Sequence, residues 1–323
     1  MEEIQELLDT YSRNLPTASY SREITKAADT GATVLLTGST GNVGSHVLAT
    51  LLQEPGVRRV YTLNRLSATA KERQRAIFAE RGLPVRLLSS DKLVQLFGNA
   101  TVDQLGIERG AFDEVCLMHA VQLDLYIKTY HFLQLRSNVT HVIHNAWRVD
   151  FNLALPSFET HIAGTRRLID FCASSAHSAK LIFVSSISAA QDWDVSRGSV
   201  PEEPLSDPAL SVSTGYGSSK FVAENVCHAF LLRGCLLTSV LQLLARAAQC
   251  GLSCTSLRVG QVCGSASTGA WGTSEWIPIL VKSSIALGKL PELEGVRALY
   301  TMTPLLTNIC DIRRSRHGSR WTR

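Results

Sequence analysis

The sequence contains no apolar run long enough to cross a membrane as a helix. None of its stretches reaches the roughly 18 consecutive apolar residues that a membrane span needs. The first residues, MEEIQELLDTYSRNLP, are too acidic and too polar for a secretory signal peptide. We therefore expect a soluble, cytoplasmic and monomeric chain that has no membrane partner.

Cysteines and histidines at metal-binding spacing are also missing. The eight cysteines form no C-x-x-C pair and have no histidines at zinc spacing, and the spacing of Cys250 and Cys254 is interpreted as coincidence. His141 and His144 fall on one predicted buried strand, where packed or capping histidines are expected rather than ligands. Reduced thiols and no metal are therefore predicted. The cysteines are Cys116, Cys172, Cys227, Cys235, Cys250, Cys254, Cys263 and Cys310.

Charge is low and nearly balanced. The chain carries 32 Lys and Arg against 28 Asp and Glu, for a net charge of +4. It has no basic stripe with interleaved aromatic residues, so no nucleic-acid partner is expected. This balance is better suited to an anionic small molecule. With 45% hydrophobic residues, the 323-residue chain can form one large domain or one domain and a smaller lobe.

Three glycines at a spacing of three separate a predicted strand, Thr33 to Thr37, from a segment with helical periodicity. Such a turn binds a dinucleotide pyrophosphate, because glycine permits the tight bend and the close backbone approach, and the helix N-terminus supplies N–H groups. A purely structural turn is the alternative. The candidate phosphate-binding residues are Gly38, Ser39, Thr40, Gly41, Asn42, Val43 and Gly44.

The second predicted strand, Arg58 to Arg65, ends about 20 residues beyond the glycines, where a dinucleotide fold reads the adenosine ribose. Asn64 and Arg65 stand there, with no carboxylate to accept the 2′-hydroxyl of NAD. A guanidinium can pair with the 2′-phosphate of NADP. The sequence therefore predicts NADP(H), and a solvated arginine at the end of an edge strand is the alternative.

Three further apolar runs end in polar residues: Thr140 to Trp147, Ala179 to Ser188 and Ser256 to Gly264. This pattern is typical of parallel strands that are buried on both faces and whose carboxyl ends line a ligand crevice. We therefore expect a doubly wound α/β sheet with right-handed crossovers. The polar ends are expected near the cofactor or the reacting carbon, and they comprise His144, Asn145, Ala146, Ser185 and Ser186.

Tyr216 and Lys220 are four apart, so on a helix they share one face. A lysine ammonium beside a phenol lowers the pKa of the phenol from about 10 and makes it a usable proton donor and acceptor. The same lysine can hold the nicotinamide ribose, and Ser186 can hydrogen-bond the substrate carbonyl. The catalytic candidates are therefore Ser186, Tyr216 and Lys220, and a chance Tyr-x-x-x-Lys is the alternative.

Together these segments resemble the extended short-chain dehydrogenase/reductase superfamily, and within it the thioester reductase domains of fungal nonribosomal-peptide-synthetase-like enzymes, including the aminoadipate reductase type. The resemblance implies a Rossmann fold and the reduction of a carrier-bound acyl thioester by NADPH to an aldehyde, sometimes to an alcohol. It also implies that Gly38, Gly41, Gly44 and Arg65 contact the cofactor, as do Tyr216 and Lys220. The motifs are TGSTGNVGSH, LNR, THVIHNAW, FVSSIS, GYGSSKFVAEN and SLRVGQVCG.

The resemblance also implies a domain organisation. Residues 1–29 resemble the linker that follows a carrier domain, residues 30–264 the NADP-binding domain, and residues 265–323 a truncated substrate lobe with a tail outside the family pattern. A Ser-, Pro- and Asp-rich loop, 192–215, is either a plain connector or a lip over the active site. Asn99 replaces the acidic residue that contacts adenine in relatives, which could weaken that contact.

Three segments depart from the family pattern: 116–132, 227–249 and the ending 296–323. Because the pattern stops and resumes abruptly, we hypothesise that the first two are translated introns and that the ending follows a frameshift. For 227–249 the alternative is a buried or lobe-forming helix, since it is apolar nearly all round.

Two other functions therefore stay open. One is an extended reductase or epimerase acting on a free carbonyl, sugar or acyl substrate, and the other is a catalytically disabled NADP-binding fragment.

Overall fold

The computed structural model describes residues 1–16, 31–67, 69–107, 131–233, 254–264, 269–273 and 275–289. The chain divides into two compact units, Met1–Trp271 and Gly272–Arg323. The first unit holds a parallel sheet and its flanking helices. In the second, the described helix spans Trp276–Leu287 and ends at Gly288, whose left-handed conformation is usual for the residue after a helix.

Six parallel strands form the described sheet, in the order β3-β2-β1-β4-β5-β6. The strand order reverses between β1 and β4, and in such sheets ligands bind beyond the carboxyl ends of the strands at this reversal. The predicted doubly wound α/β fold is confirmed. The strands are β1 (Ala32–Thr37), β2 (Val57–Asn64), β3 (Leu93–Phe97), β4 (His141–His144), β5 (Lys180–Ser186) and β6 (Cys254–Val259).

Helices of the first unit cover both faces of this sheet, and the second unit holds one described helix. Within the described ranges, none of them is both long and apolar enough to span a membrane. They are α1 (Glu2–Ser12), α2 (Asn42–Gln53), α3 (Ala70–Glu80), α4 (131–138), α5 (Glu159–Ser174) and α6 (Gly215–Arg233), with α7 (Trp276–Leu287) in the second unit.

Alternation along the strands builds two hydrophobic layers. On β1, Val34 and Leu36 pack with α2 and α3, where Phe78 is fully buried. Leu35 points to the opposite face and packs in the cluster that includes Phe183 of β5 and residues of α5 and α6. Each such side chain contributes about 1.5–3 kcal/mol when it is fully buried. The continuous apolar runs of the sequence are thus explained by burial on both faces.

Helix α1 is packed into the second of these layers through Ile4. The Tyr11 hydroxyl donates to Glu159 on α5 at 2.9 Å. The Arg166 guanidinium, also on α5, donates to the carbonyl oxygens of Tyr11, Arg13 and Asn14 at the end of α1. Apolar packing and hydrogen bonds to α5 therefore hold the N-terminal segment against the first unit.

Candidate functional site

The glycine turn lies at the reversal of strand order, directly over the end of β4. Gly38 follows β1 with a φ of +72°, and a Cβ there would lie 2.8 Å from the Ala146 backbone. A Cβ on Gly44 would overlap the Gly38 carbonyl oxygen and lie 2.7 Å from the Asn145 side chain. Packing within the protein therefore requires glycine at both positions.

Gly41 differs from the other two glycines. A Cβ there would lie 3.3 Å from the Gly38 carbonyl oxygen, which is tight but not an overlap, and its φ of −81° suits any residue. Gly41 is also the N-cap of α2, and no side chain caps this helix. The α2 N-terminus thus presents its partial positive charge at the carboxyl edge of the sheet, as an anion site requires.

A buried network fixes Ser39 within the turn. Its hydroxyl donates to Gln74 Oε1 and accepts from Asn64 Nδ2, both at 2.9 Å, and Gln74 Nε2 donates to the Ser39 carbonyl oxygen at 3.1 Å. The contact that the structure shows for Asn64 is therefore with the turn. Sequence reasoning missed Gln74, although its spacing of four from the buried Phe78 within a charged helix indicates an inward-facing position.

Arg65 follows the end of β2 and is exposed. Its guanidinium forms no hydrogen bond or ion pair with any residue that the structure describes. Together with Lys220, it is close enough to His161 to lower the pKa of that histidine, although burial contributes most. A cation thus stands beside the crevice where the adenosine end of a dinucleotide is expected.

The predicted residues after β4 are held by Thr37 at the end of β1. The Thr37 hydroxyl accepts the backbone N–H groups of Asn145 and Ala146, each at 3.1 Å. The Asn145 side chain donates to the Gly38 carbonyl oxygen at 3.1 Å. The ends of β1 and β4 are therefore fixed relative to the glycine turn.

The structure brings the three catalytic candidates together. Ser186 ends β5, and its side chain is close enough to Tyr216, in the first turn of α6, to act on the pKa of that phenol. Helix α6 starts there because Thr214 caps it, accepting the Gly217 N–H at 3.0 Å. Ser185 instead shares the buried face of Phe183, and its hydroxyl has no hydrogen-bond partner among the described residues. Ser186 is thus the serine at the site.

Lys220 lies one helical turn after Tyr216 and is 2% exposed. Its Nζ donates to the Val184 carbonyl oxygen at 2.7 Å and lies 4.1 Å from the centre of the Trp147 ring and 5.9 Å from that of Tyr216. Burial lowers the pKa of Lys220 well below its usual value, although Glu224 opposes the shift. The lysine is therefore held in place by a carbonyl and an aromatic ring.

One expectation about Tyr216 is wrong in this structure. The sequence predicts that Lys220 lowers the pKa of the phenol, but burial raises it, and only Ser186 opposes the rise. The Tyr216 ring packs edge-on against Phe151 at 4.9 Å and Phe158 at 6.0 Å, and the Lys220 ammonium is bonded to Val184 instead of the phenol. Tyr216 is therefore protonated at neutral pH.

Trp147 is a site residue that sequence reasoning missed. Its indole N–H donates to the Ser219 hydroxyl on α6 at 3.2 Å, and its ring stacks on His161 of α5 at 5.0 Å. The Lys220 ammonium lies over the same ring. Because Trp147 directly follows the predicted residues Asn145 and Ala146, it couples the end of β4 to the catalytic helix.

The two strand histidines are packed within the fold. His144 is buried, shares a 2.9 Å hydrogen bond with the Thr37 hydroxyl, and has its pKa lowered to about 3, mainly by burial and then by Lys220. His141 bonds the Thr140 hydroxyl at 2.9 Å. Within the described ranges, no three His, Cys, Asp or Glu side chains are grouped to hold a metal ion.

Asn99 is engaged in its own turn. Its side-chain oxygen accepts the backbone N–H of Thr101 at 3.0 Å and the Thr101 hydroxyl at 2.8 Å. Several predictions lie outside the described residues: most of the segment 116–132, residues 234–249 and the ending 296–323. The cysteines outside are Cys116, Cys235, Cys250 and Cys310.

Comparison with known proteins identifies a family and several relatives for this chain. The chain matches the model of the NAD-binding family described as male sterility protein over residues 36–123 and 120–305. It is 39% identical to the adenylate-forming reductase Nps9 of Serpula lacrymans, over 98% of this chain and 26% of the relative. It is 33% identical to a carboxylic acid reductase of Neurospora crassa, over 94% of this chain and 25% of the relative.

Solved structures share the fold. The terminal R domain of the myxalamid PKS-NRPS pathway superposes with a TM-score of 0.60 at 24% identity, covering 88% of this chain and 63% of that domain. A reductase domain of a Mycobacterium tuberculosis nonribosomal peptide synthetase gives a TM-score of 0.54 at 23% identity, covering 88% of this chain and 58% of that domain. The chain spans about a quarter of the length of the curated relatives that it matches. The match to the family model, together with the glycine turn at the strand reversal, shows that this chain belongs to the NAD-binding male sterility protein family.

Proposed function

We propose that this chain reduces an acyl thioester, carried on the phosphopantetheine arm of a carrier domain, to an aldehyde with NADPH. The observation that carries the proposal is the grouping of Ser186, Tyr216 and Lys220 at the sheet edge that also holds the glycine turn. Ser186 ends β5 close enough to Tyr216 to act on the pKa of the phenol, and Lys220 Nζ lies 5.9 Å from the centre of the Tyr216 ring. The names of the relatives, adenylate-forming reductase and carboxylic acid reductase, support this reaction class.

The residues at the strand reversal fit a dinucleotide. The α2 N-terminus has no side-chain cap, and Gly41 has no internal packing reason as strong as those of Gly38 and Gly44. Both features suit a pyrophosphate that approaches the backbone closely. Arg65 would pair with the ribose 2′-phosphate, and Lys220 would bind the nicotinamide ribose.

When bound, the reduced nicotinamide supplies a hydride to the thioester carbon. Ser186 is placed to donate a hydrogen bond to the carbonyl oxygen, and Tyr216 to give that oxygen a proton as negative charge develops there. Tyr216 carries its proton at neutral pH, as a proton donor must, and Ser186 opposes the rise that burial causes in its pKa. Collapse of the resulting hemithioacetal releases the aldehyde and the carrier thiol, so one hydride and one proton are consumed for each aldehyde formed.

The carrier domain that presents the thioester is the partner that this function requires. The R domains with the same fold come from synthetases, and one such solved structure is a thiolation-reductase di-domain from an archaeal nonribosomal peptide synthetase. A cytoplasmic location is part of the proposal, because activated acyl groups, carrier domains and NADPH must meet in one compartment.

The preference for NADPH is tested at Arg65. A paired, charge-assisted contact is worth about 1.5–3 kcal/mol, which corresponds to about 10- to 150-fold in affinity. Replacing Arg65 by alanine should therefore raise the Kd for NADPH by about that factor and leave the Kd for NADH unchanged. Arg59 is the matched control, because it is exposed like Arg65 but lies near the start of β2. Equal losses for both cofactors would contradict the assignment.

Activity is tested with the purified chain, NADPH and acyl-pantetheine thioesters. Turnover that is lost in Tyr216→Phe supports the proposal. Turnover of free aldehydes or ketones but not thioesters would instead identify a reductase of free carbonyl substrates. Saturable NADPH binding without any turnover would identify a disabled fragment.

A further inference from the structure

Asp192 joins the segment after the catalytic serine to the start of the catalytic helix. Its carboxylate accepts the backbone N–H groups of Val212 at 2.7 Å and Ser213 at 2.9 Å, and also the Ser213 hydroxyl. Its own backbone N–H donates to the Leu210 carbonyl oxygen at 3.0 Å. One residue therefore makes four hydrogen bonds to a segment 18 to 21 positions later in the chain.

The two ends of this connection lead directly to the reacting groups. Ser186 ends β5, and its hydroxyl accepts the Ser188 N–H at 3.1 Å, which starts the short helical turn Ile187–Ala190 just before Asp192. At the other end, Ser213 precedes Thr214, which caps the helix that carries Tyr216. The hydrogen bonds of Asp192 thus connect the segment that follows Ser186 to the segment that precedes Tyr216.

Other contacts hold the same two segments together. The Gln191 amide pairs with the Thr214 hydroxyl at 3.0 Å, and the Ser211 hydroxyl donates to the Ser188 carbonyl oxygen at 3.3 Å. A Cβ on Gly217 would overlap that same carbonyl oxygen, so helix and turn are in direct contact. Among these contacts, Asp192 supplies the only charged acceptor, and charge-assisted hydrogen bonds are the strong ones.

We propose that Asp192 is a positioning residue that fixes the Tyr216 hydroxyl against the Ser186 hydroxyl. This inference rests on the proposed function. Asp192 is not placed to touch substrate or cofactor, because it acts through the backbone of residues 212 and 213. Catalytic geometry is sensitive to such support, since a displacement of about 1 Å can reduce turnover about 100-fold.

The carboxylate is ionised across the neutral range. Partial burial opposes ionisation, but hydrogen bonds from Ser213 and Val212 outweigh it and lower the pKa of Asp192. Both backbone donors therefore have a charged acceptor under all conditions in which the enzyme would work.

The test compares Asp192→Ala and Asp192→Asn with the control Asp194→Asn. Asp194 caps the Ser196 N–H at 2.9 Å in the same loop, and it is exposed. We expect Asp192→Ala to lower kcat about 10- to 100-fold with an unchanged Kd for NADPH. Asp192→Asn, which keeps one acceptor oxygen, should retain more activity than the alanine variant, and Asp194→Asn should match wild type.

A double variant separates positioning from general destabilisation. If Asp192 acts through the Tyr216 hydroxyl, Asp192→Ala should cost little further activity in a Tyr216→Phe background, because the positioned group is already gone. Equal fold losses in the two backgrounds would overturn the proposal.

Amide hydrogen exchange gives a readout that does not depend on turnover. Exchange at Ser213 and at the first turn of α6 should accelerate in Asp192→Ala and stay at the wild-type rate in Asp194→Asn. Unchanged exchange would overturn the inference whether or not the chain is active. A wild-type chain that reduces no thioester while this difference in exchange is present would refute the proposed function and leave the structural role of Asp192 supported.

Discussion

Substitution of Gly44 by alanine is expected to weaken the fold and cofactor binding together. The new Cβ would overlap the Gly38 carbonyl oxygen and lie 2.7 Å from Asn145 Nδ2 and 2.8 Å from the Gly38 carbonyl carbon. The turn cannot yield toward β4, because Gly38 already lies against the Ala146 backbone. Overpacking of this kind costs about 1–3 kcal/mol.

Gly41→Ala is the comparison that separates folding from binding. Its Cβ would meet the Gly38 carbonyl oxygen at 3.3 Å without overlap, so we expect a loss of stability below about 1 kcal/mol, the scale of an N-cap change. If the pyrophosphate approaches Gly41, however, the methyl group should raise the Kd for NADPH by about 10-fold or more, which is about 1.4 kcal/mol.

Thermal unfolding and NADPH titration by fluorescence measure both quantities. In large domains each kcal/mol shifts Tm by roughly 2–4 °C, so Gly44→Ala should melt measurably lower than Gly41→Ala. Gly56→Ala is the control, because a Cβ there would meet only the Glu54 carboxylate at 3.7 Å. Wild-type Tm in Gly44→Ala, or wild-type NADPH affinity in Gly41→Ala, would refute the reasoning about this turn.

Three further predictions follow from the site and the sequence. Tyr216→Phe should lower kcat about 10²- to 10⁴-fold, and because the ring packing is kept its stability should change by only about 1 kcal/mol; kinetics and melting check both. The folded-state pKa of His144 is about 3, below its ordinary 6.5, so the unfolded chain binds a proton first and stability falls as pH drops through this window. His144→Gln should therefore reduce the slope of unfolding free energy against pH by about 1.4 kcal/mol per unit, and equal slopes would contradict the burial argument. Sequencing of the transcript should show 116–132 and 227–249 to be removable introns, with a changed reading frame before 296–323, and three authentic exon segments would refute this hypothesis.

Five of the six described strands and the order of their motifs could be predicted, because buried parallel strands read as apolar runs. The edge strand β3 (Leu93–Phe97) was missed, since only its last two residues are buried. The position of the glycine turn could also be predicted, since the spacing of the glycines places the turn between a strand and a helix. The proximity of Ser186 and Tyr216 could be predicted from the same topology, as both follow the carboxyl edge of the sheet.

The supporting contacts could not be predicted in this way. Gln74 reaches Ser39 only through the packing of α3 beside the turn, and Trp147 reaches Ser219 only when α6 packs against the end of β4. The raised pKa of Tyr216 has the same origin, because desolvation depends on which rings enclose the phenol. A local spacing rule contains none of this information.

The same limit applies to Asp192. In the sequence it is one of several Asp residues in a polar loop, and nothing in its spacing separates it from Asp194. Only the folded path of the loop shows that one carboxylate faces the start of α6 while the other caps a turn two residues away.

The most direct test of the account is consumption of NADPH by the purified chain, followed through the absorbance of the reduced nicotinamide, with an acyl-pantetheine thioester as substrate. We expect turnover that depends on thioester, is faster with NADPH than with NADH and yields one aldehyde for each NADPH oxidised. Absence of thioester-dependent oxidation, in a chain that is folded and binds NADPH, would contradict it.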